Sequence, residues 1–354
     1  MSYCWKCGAK LAEDAKYCHV CGAPVSRPVT ETGRITEERV RGHSGFLVFA
    51  LIAVLVVALI FAGVSFFSYR PMDYNEFHEV EYEPGVKKLS FDFTADVANV
   101  RIIFADIGDK LITFNVTTSG RVGLLASSKP PDIKFEDTVV DDVLVISSRI
   151  GSISQVWPPQ SWLKVDCSIC INPSLKADIN VYTSVGEIVL DTKAGVVLNS
   201  LSLKAITGKV QVYLVENVTV IGDISAETTT GGVEFSWDNV NIARNVLVQL
   251  KTTTGGVSAD VKQTHVLGGN VTLNAETTTG GVDFALSIQG GVGARIESRV
   301  TTGGIDVSRK TGFSGANSSL RSSNYPDSSN FNASFQATTG GISIDATYTP
   351  TQGY

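Results

Sequence analysis

The sequence predicts an all-β protein: a parallel β-solenoid of about 23-residue rungs, with a small N-terminal zinc ribbon and one transmembrane α-helix before it. Three observations predict it: a glycine-marked turn that recurs seven times, two CxxC knuckles near the start, and a run of 22 apolar or small residues between them.

The recurring turn reads ETTTGGV at 227–233, KTTTGGV at 251–257, ETTTGGV at 276–282, RVTTGGI at 299–305 and QATTGGI at 336–342, with fainter copies KAITGKV at 204–210 and YTSVGEI at 182–188. The first glycines are Gly186, Gly208, Gly231, Gly255, Gly280, Gly303 and Gly340, so the steps are 22, 23, 24, 25, 23 and 37. A near-constant period of this size marks stacked repeats. Around each turn the pattern has a period of two: Val246, Val248, Leu250 and Thr252 alternate with polar residues before Gly255, and Val257, Ala259 and Val261 alternate after it. That is strand periodicity. A separate hairpin with a two-residue Gly-Gly turn is the local alternative, but stacking each copy on the next buries the apolar residues continuously.

All seven copies keep the first glycine, whereas the second is Glu187 or Lys209 in the two early copies. The first glycine is therefore expected at positive φ, as a structural turn residue, and the second needs only to be small. Four residues before the marker stand Lys204, Glu227, Lys251, Glu276 and Arg299, alternating in sign. Stacked about 4.8 Å apart they would form an inter-rung charge column that selects register.

Near the start, Cys4-x2-Cys7 and Cys18-x2-Cys21 are each followed by glycine. Four thiolates so spaced surround one tetrahedral Zn²⁺, and with every position filled by sulfur the ion is structural. A segment this short lacks a core of its own, so the metal supplies most of its folding free energy. Residues 1–26 form this ribbon; it resembles the zinc ribbons that begin many prokaryotic, especially archaeal, membrane proteins.

Residues 27–45 read as a polar linker. The run FLVFALIAVLVVALIFAGVSFF at 46–67 carries no charge and predicts a transmembrane helix over 46–69, since 22 residues at about 1.5 Å span a bilayer core of about 30 Å. Arginines crowd its N-terminal side, so the ribbon is expected in the cytoplasm and the rest outside. Five glycosylation sequons, at Asn115, Asn217, Asn270, Asn317 and Asn332, fall on that outer side.

Residues 70–85 read as an acidic stalk, 86–172 as irregular first rungs or a cap, and 173–354 as the repeat domain, with a Ser- and Asn-rich exposed loop at 311–330 explaining the step of 37. Cys167 and Cys170 lie in LKVDCSICINP. On a strand their sulfurs point to opposite faces and Cys167 is a buried free thiol; on an irregular backbone a small disulfide loop stays open.

The segments VKKLSFDFTADVANVRI and VDCSICINPSLKADINVYTSVGEIVL, followed by the TTTGGV copies, resemble a widespread prokaryotic family of β-solenoid domains regarded as adhesin candidates. The resemblance covers residues 86–347 and implies a membrane-tethered surface module. It brings no catalytic residues.

The net charge of −6 excludes a bulk-charge nucleic-acid binder. Outward carboxylates recur at Glu234, Asp260, Asp283 and Asp306 without a convergent His, Lys or Arg, so no enzyme is expected. An acidic face could hold cations. Exposed threonines at 229, 253, 278, 301 and 338 could meet ice or glycans. The expected function is a binding or structural, adhesin-like module that contacts the lipid bilayer through its helix and an unidentified surface or envelope ligand through its rod. The alternative is an envelope sensor relaying to a cytoplasmic partner of the zinc ribbon.

Overall fold

The computed structural model describes residues 2–25, 49–60, 69–123, 131–151 and 162–350. The chain divides into two compact units, Met1–Ala62 and Gly63–Tyr354.

In the first unit, Ser2–Tyr3 pairs antiparallel with Lys10–Leu11. The buried cluster is only Cys4, Leu11, Cys18 and Ala23, with Ala9, Cys21 and Val25 against it. A helix covers residues 49–60. Twelve residues at about 1.5 Å reach about 18 Å, short of the roughly 30 Å of a bilayer core. No helix among the described residues is long and apolar enough to cross a membrane. The expectation of a transmembrane helix over 46–69 is corrected accordingly, and with it the single-pass arrangement that placed the N-terminus in the cytoplasm and the C-terminal domain outside. Residues 46–48 and 61–68, and the linker at 27–45, lie outside the described residues.

Among the described residues the second unit is two sheets, of fourteen and eleven strands, whose inner faces share one core cluster running from Val86 to Tyr348. Each repeat sends one strand to each sheet, because its glycine turns the chain between them: Val246–Thr254 lies in the first sheet and Val257–Gln263 in the second. Period-two alternation buries Val246, Val248 and Leu250 from one strand and Val257, Ala259 and Val261 from the other. Aromatic rings meet across the interior, Phe284 with Phe335 at 4.6 Å and Trp237 edge-on to Phe331 at 6.0 Å.

Through the repeats the pairing is parallel and in register. In the first sheet Lys176–Val185, Val197–Thr207, Ile224–Thr230, Val246–Thr254 and Val271–Thr279 follow one another. The stack is nevertheless not wound rung after rung. Ser329–Thr339 inserts between Val271–Thr279 and Val292–Thr302, so the last repeat lies inside the one before it. At the opposite end Lys88–Val97 pairs directly with Lys176–Val185, and the later strand Val143–Ile150 sits outside it.

Antiparallel strands close this end of both sheets. Ile133–Val140 pairs with Val143–Ile150, and Lys110–Gly123 joins Trp162–Ile171 to Tyr69–Glu81. The simple parallel β-solenoid is thus corrected to two facing mixed sheets. The repeat period encodes which strands match, but it does not encode the order in which end strands are laid down or their direction.

Three segments differ from their expected roles for the same reason. The acidic stalk is an edge strand, Tyr69–Glu81, because Met72, Tyr74, Glu76, His78 and Val80 alternate on its half-buried face. The region 86–172 contains a regular repeat, with Lys88–Val97 and Asn99–Phe104 in register on Lys176–Val185 and Ile188–Asp191, and Ala98 where a glycine would stand. The loop at 311–330 contains a hairpin, Phe313–Ala316 with Ser319–Ser322, which pairs onto Val292–Thr302 and buries Phe313 and Leu320. Its small polar residues hide a period of two carried by few apolar side chains.

Candidate functional site

The four cysteines come together as two matching knuckles. In each, the first cysteine accepts a backbone bond from the glycine four residues on, Gly8 N–H to Cys4 O at 2.9 Å and Gly22 N–H to Cys18 O at 2.8 Å. Both glycines have φ near +70°, where a side chain is disfavoured, which turns the knuckle back on itself. The sulfurs of Cys4 and Cys21 lie 3.6 Å apart and those of Cys7 and Cys18 3.5 Å apart, and all four fall within 4.8 Å of one another.

A tetrahedron of Zn–S bonds of about 2.3 Å needs sulfurs separated by roughly 3.8 Å, so the quartet fits one zinc ion. Backbone amides of Cys7 and Lys6 hold the Cys4 thiol down at about 6, and those of Val20 and Cys21 lower Cys18. For Cys7 the Ala9 amide acts to lower the pKa, but hydrogen bonds with the neighbouring thiols prevail and push it up to about 12. This is the behaviour of four sulfurs sharing protons at close range; a divalent cation lets all four ionise.

In the repeats, all seven marker glycines have φ between +138° and +145°. They also stack on one another. A Cβ on Gly255 would lie 1.8 Å from the Gly231 carbonyl oxygen, and one on Gly231 2.0 Å from that of Gly208. The second glycines are roomier: a Cβ on Gly256 would meet Gly281 O at 3.4 Å, and one on Gly304 nothing within 4 Å.

An inner threonine row that the sequence reading did not single out locks this stack. Thr228, Thr252 and Thr277 are buried and donate to the carbonyls of Gly208, Gly231 and Gly255 at 2.8, 2.9 and 3.0 Å. Thr183 does the same to Ala98 O at 3.3 Å. The signal was a threonine three residues before the glycine, on the apolar side of the alternation.

Lys204, Glu227, Lys251 and Glu276 are register neighbours. Lys204 pairs with Glu227 at 3.3 Å and Lys251 with Glu276 at 3.7 Å. Arg299 departs from the expected column, because the inserted strand places Gln336 between it and Glu276. Both ion pairs are exposed, worth about 0.2–1 kcal/mol each at most.

The outward carboxylates do not converge. Lys209, Gln211 and Tyr213 all bond to Glu234, which lowers its pKa and, with burial as the larger cause, raises Tyr213 to about 12. Asp260 is in register with Ser236, whereas Asp283 and Asp306 lie in Glu234's row, separated by Ser258 and Ser343.

The five sequons occupy unlike settings. Asn217 and Asn317 are exposed. Asn115 has a buried Oδ1 without a partner, and Tyr325 donates to Asn332 at 3.3 Å. Asn270 belongs to a ladder: its N–H donates to Asn245 Oδ1 at 2.9 Å and its own Oδ1 accepts from Asn330 N–H at 2.9 Å. Cys167 is buried and free, with burial pushing its thiol far up, and Cys170 on the opposite face is free as well.

Comparison with known proteins agrees with the metal geometry. Residues 3–25 match the zinc-ribbon domain family. The N-terminal segment is a zinc ribbon. No curated protein matches the chain.

Among solved structures, the chain is similar to a candidate cell adhesion protein from Clostridium sporogenes at 16% identity and a TM-score of 0.37, over 77% of this chain and 99% of that one. It is also similar to an adhesin candidate from Bacteroides fragilis at 14% identity and a TM-score of 0.30, over 77% and 96%. A candidate lipid-binding protein from Parabacteroides distasonis follows at 12% identity and 0.20, over 78% and 96%. None reaches a TM-score of 0.5, so no activity passes from them to this chain.

Proposed function

We propose that residues 86–350 form a non-enzymatic binding or structural module and that the zinc ribbon is a separate contact module for a protein partner. The observation that carries the first part is the register: one continuous core holds the outward side chains of successive repeats in straight rows, a surface suited to an extended ligand. The outward carboxylates support a non-enzymatic reading, since Glu234 is engaged by Lys209, Gln211 and Tyr213, Asp283 and Asp306 are spaced from it and from each other in the same row by Ser258 and Ser343, and Asp260 stands in another row. The exposed apolar surface of Tyr3, Trp5, Tyr17 and Val20 supports a partner for the ribbon. The sensing alternative depends on a membrane-crossing helix, which no helix among the described residues supplies.

The test uses the zinc-loaded full chain, incubated with a panel of polysaccharides while co-sedimentation and release of reducing ends are both followed. Saturable binding without product is expected. Cleavage of any polymer would end the non-enzymatic reading, and absence of binding to all of them would leave only the structural role.

A further inference from the structure

Beside the charge column on the outer face of the first sheet runs a second in-register column, two residues earlier in each strand: Ser225, Gln249, Asn274 and Ser334. Towards one end this face satisfies itself. Asn180 donates to Asp92 at 3.2 Å, Ser225 donates to Glu227 at 3.3 Å, and Lys204 pairs with the same glutamate. From Gln249 onward only the charges pair, Lys251 with Glu276 and Arg295 with Glu297, while the side chains of Gln249, Asn274, Ser334, Gln336 and Arg299 have no partner among the described residues.

Two grooves open along this stretch. The smaller, about 160 Å³, lies over Gln249 and Asn274 between Glu227 and Glu276. The larger, about 440 Å³, is lined by Glu297, Arg299, Ser318, Ser334 and Gln336. It exists because the terminal hairpin covers only part of the neighbouring strand: pairing ends at Glu297, and the last bond is Ser298 N–H to Ser318 O at 3.0 Å. Ser298, between Glu297 and Arg299, alternates to the inner face in register with the buried Phe335 and plays no part in the outward surface. Glu297 does not neutralise Arg299, since it is ion-paired with Arg295.

We infer that this face is a binding track for an acidic oligosaccharide, with Arg299 anchoring a carboxylate or sulfate and the amides and hydroxyls from Ser334 to Gln249 meeting the sugar hydroxyls. The inference rests on the binding-module reading above. Side-chain amides and hydroxyls both donate and accept, which suits a ligand that does the same. A guanidinium receives an oxyanion bidentately. A peptide strand adding to the open edge is less well served, since residues 299–302 offer only a short stretch of main chain.

The experiment is calorimetric titration of the zinc-loaded full chain, at low salt, with four probes: an oligogalacturonate, a sulfated galactan oligomer, a neutral galactan oligomer and a poly-glutamate peptide. Binding of the acidic oligosaccharides at least tenfold tighter than of the neutral one is expected, and the tighter of the two names the anion. Arg299→Gln should weaken it about tenfold, the effect of losing one charge-assisted contact. The double variant Gln249→Ala/Asn274→Ala should weaken it severalfold. Melting temperature should not move in either variant, because these side chains are unpartnered. Unchanged binding by Arg299→Gln, or tighter binding of poly-glutamate than of either acidic sugar, overturns the track while leaving the module reading intact. If the wild type binds none of the four, both readings fall on this face.

Discussion

Replacing Gly255 by alanine tests the stacked turn directly. The new Cβ would stand 1.8 Å from Gly231 O and 2.6 Å from the carbonyl carbon, at a φ of +140°. Ordinary contact begins near 3.5 Å, so the two turns must separate by about 1.7 Å or the backbone must leave this conformation. Separation strains the local ladder, in which Gly231 N–H donates to Thr254 O at 2.9 Å and Thr252 Oγ1 to Gly231 O at 2.9 Å.

Two such bonds at about 1 kcal/mol each, with about 1–3 kcal/mol for the unfavourable φ, give a cost of about 3–5 kcal/mol. That is a large part of the roughly 5–15 kcal/mol by which a domain is stable. Gly256→Ala is the control. Its Cβ meets nothing closer than 3.4 Å, and less than about 1 kcal/mol is expected. Urea unfolding followed by far-ultraviolet circular dichroism, with zinc saturating, measures both. Equal losses in the two variants would refute the idea that carbonyl-to-glycine stacking dictates the first position.

Other outcomes follow from single contacts. Thr252→Val keeps the shape but removes the donor to Gly231 O, and should cost about 1 kcal/mol in the same unfolding assay, with Thr252→Ser recovering most of it. Gln263→Leu leaves the buried Trp237 Nε1–H, which now donates to Gln263 Oε1 at 2.9 Å, without an acceptor; about 1–3 kcal/mol is expected, together with a changed tryptophan emission. One equivalent of zinc should be released to a chromogenic chelator, and Cys7→Ser should lower the affinity sharply while the transition of the β unit stays in place. Because backbone amides depress Cys4 from 9.0 to about 6, its thiolate is favoured above that value and lost as pH falls through it. Zinc should therefore be retained near neutrality and released on acidification below about pH 6, as protons compete for the sulfurs.

The repeats were legible because each constraint on them is local and recurs. A first glycine that tolerates no Cβ, a second that does, and apolar residues at every other position show themselves in one copy and are checked by the next. The zinc quartet was legible because four thiols at CxxC spacing have few other uses. The ends were not legible. Nothing in RVTTGGI tells that QATTGGI will slip between it and ETTTGGV, so Arg299 was assigned the wrong neighbour. Tyr69–Glu81 was misread because four acids dominate a strand whose inward residues are only half-buried. The apolar run at 46–67 implied a span by composition alone, while the described helix covers 49–60.

The wedge formed by Ser329–Thr339 and its companion Ile342–Thr349 has a consequence for a growing or clipped polypeptide. Val292–Thr302 and Ile305–Thr311 have parallel neighbours only in those two strands. A chain cut anywhere before Ser329 would lose not one layer but two, since the penultimate layer would be left with no seat. Completion of this end must wait for residues 329–349, which act as its keystone.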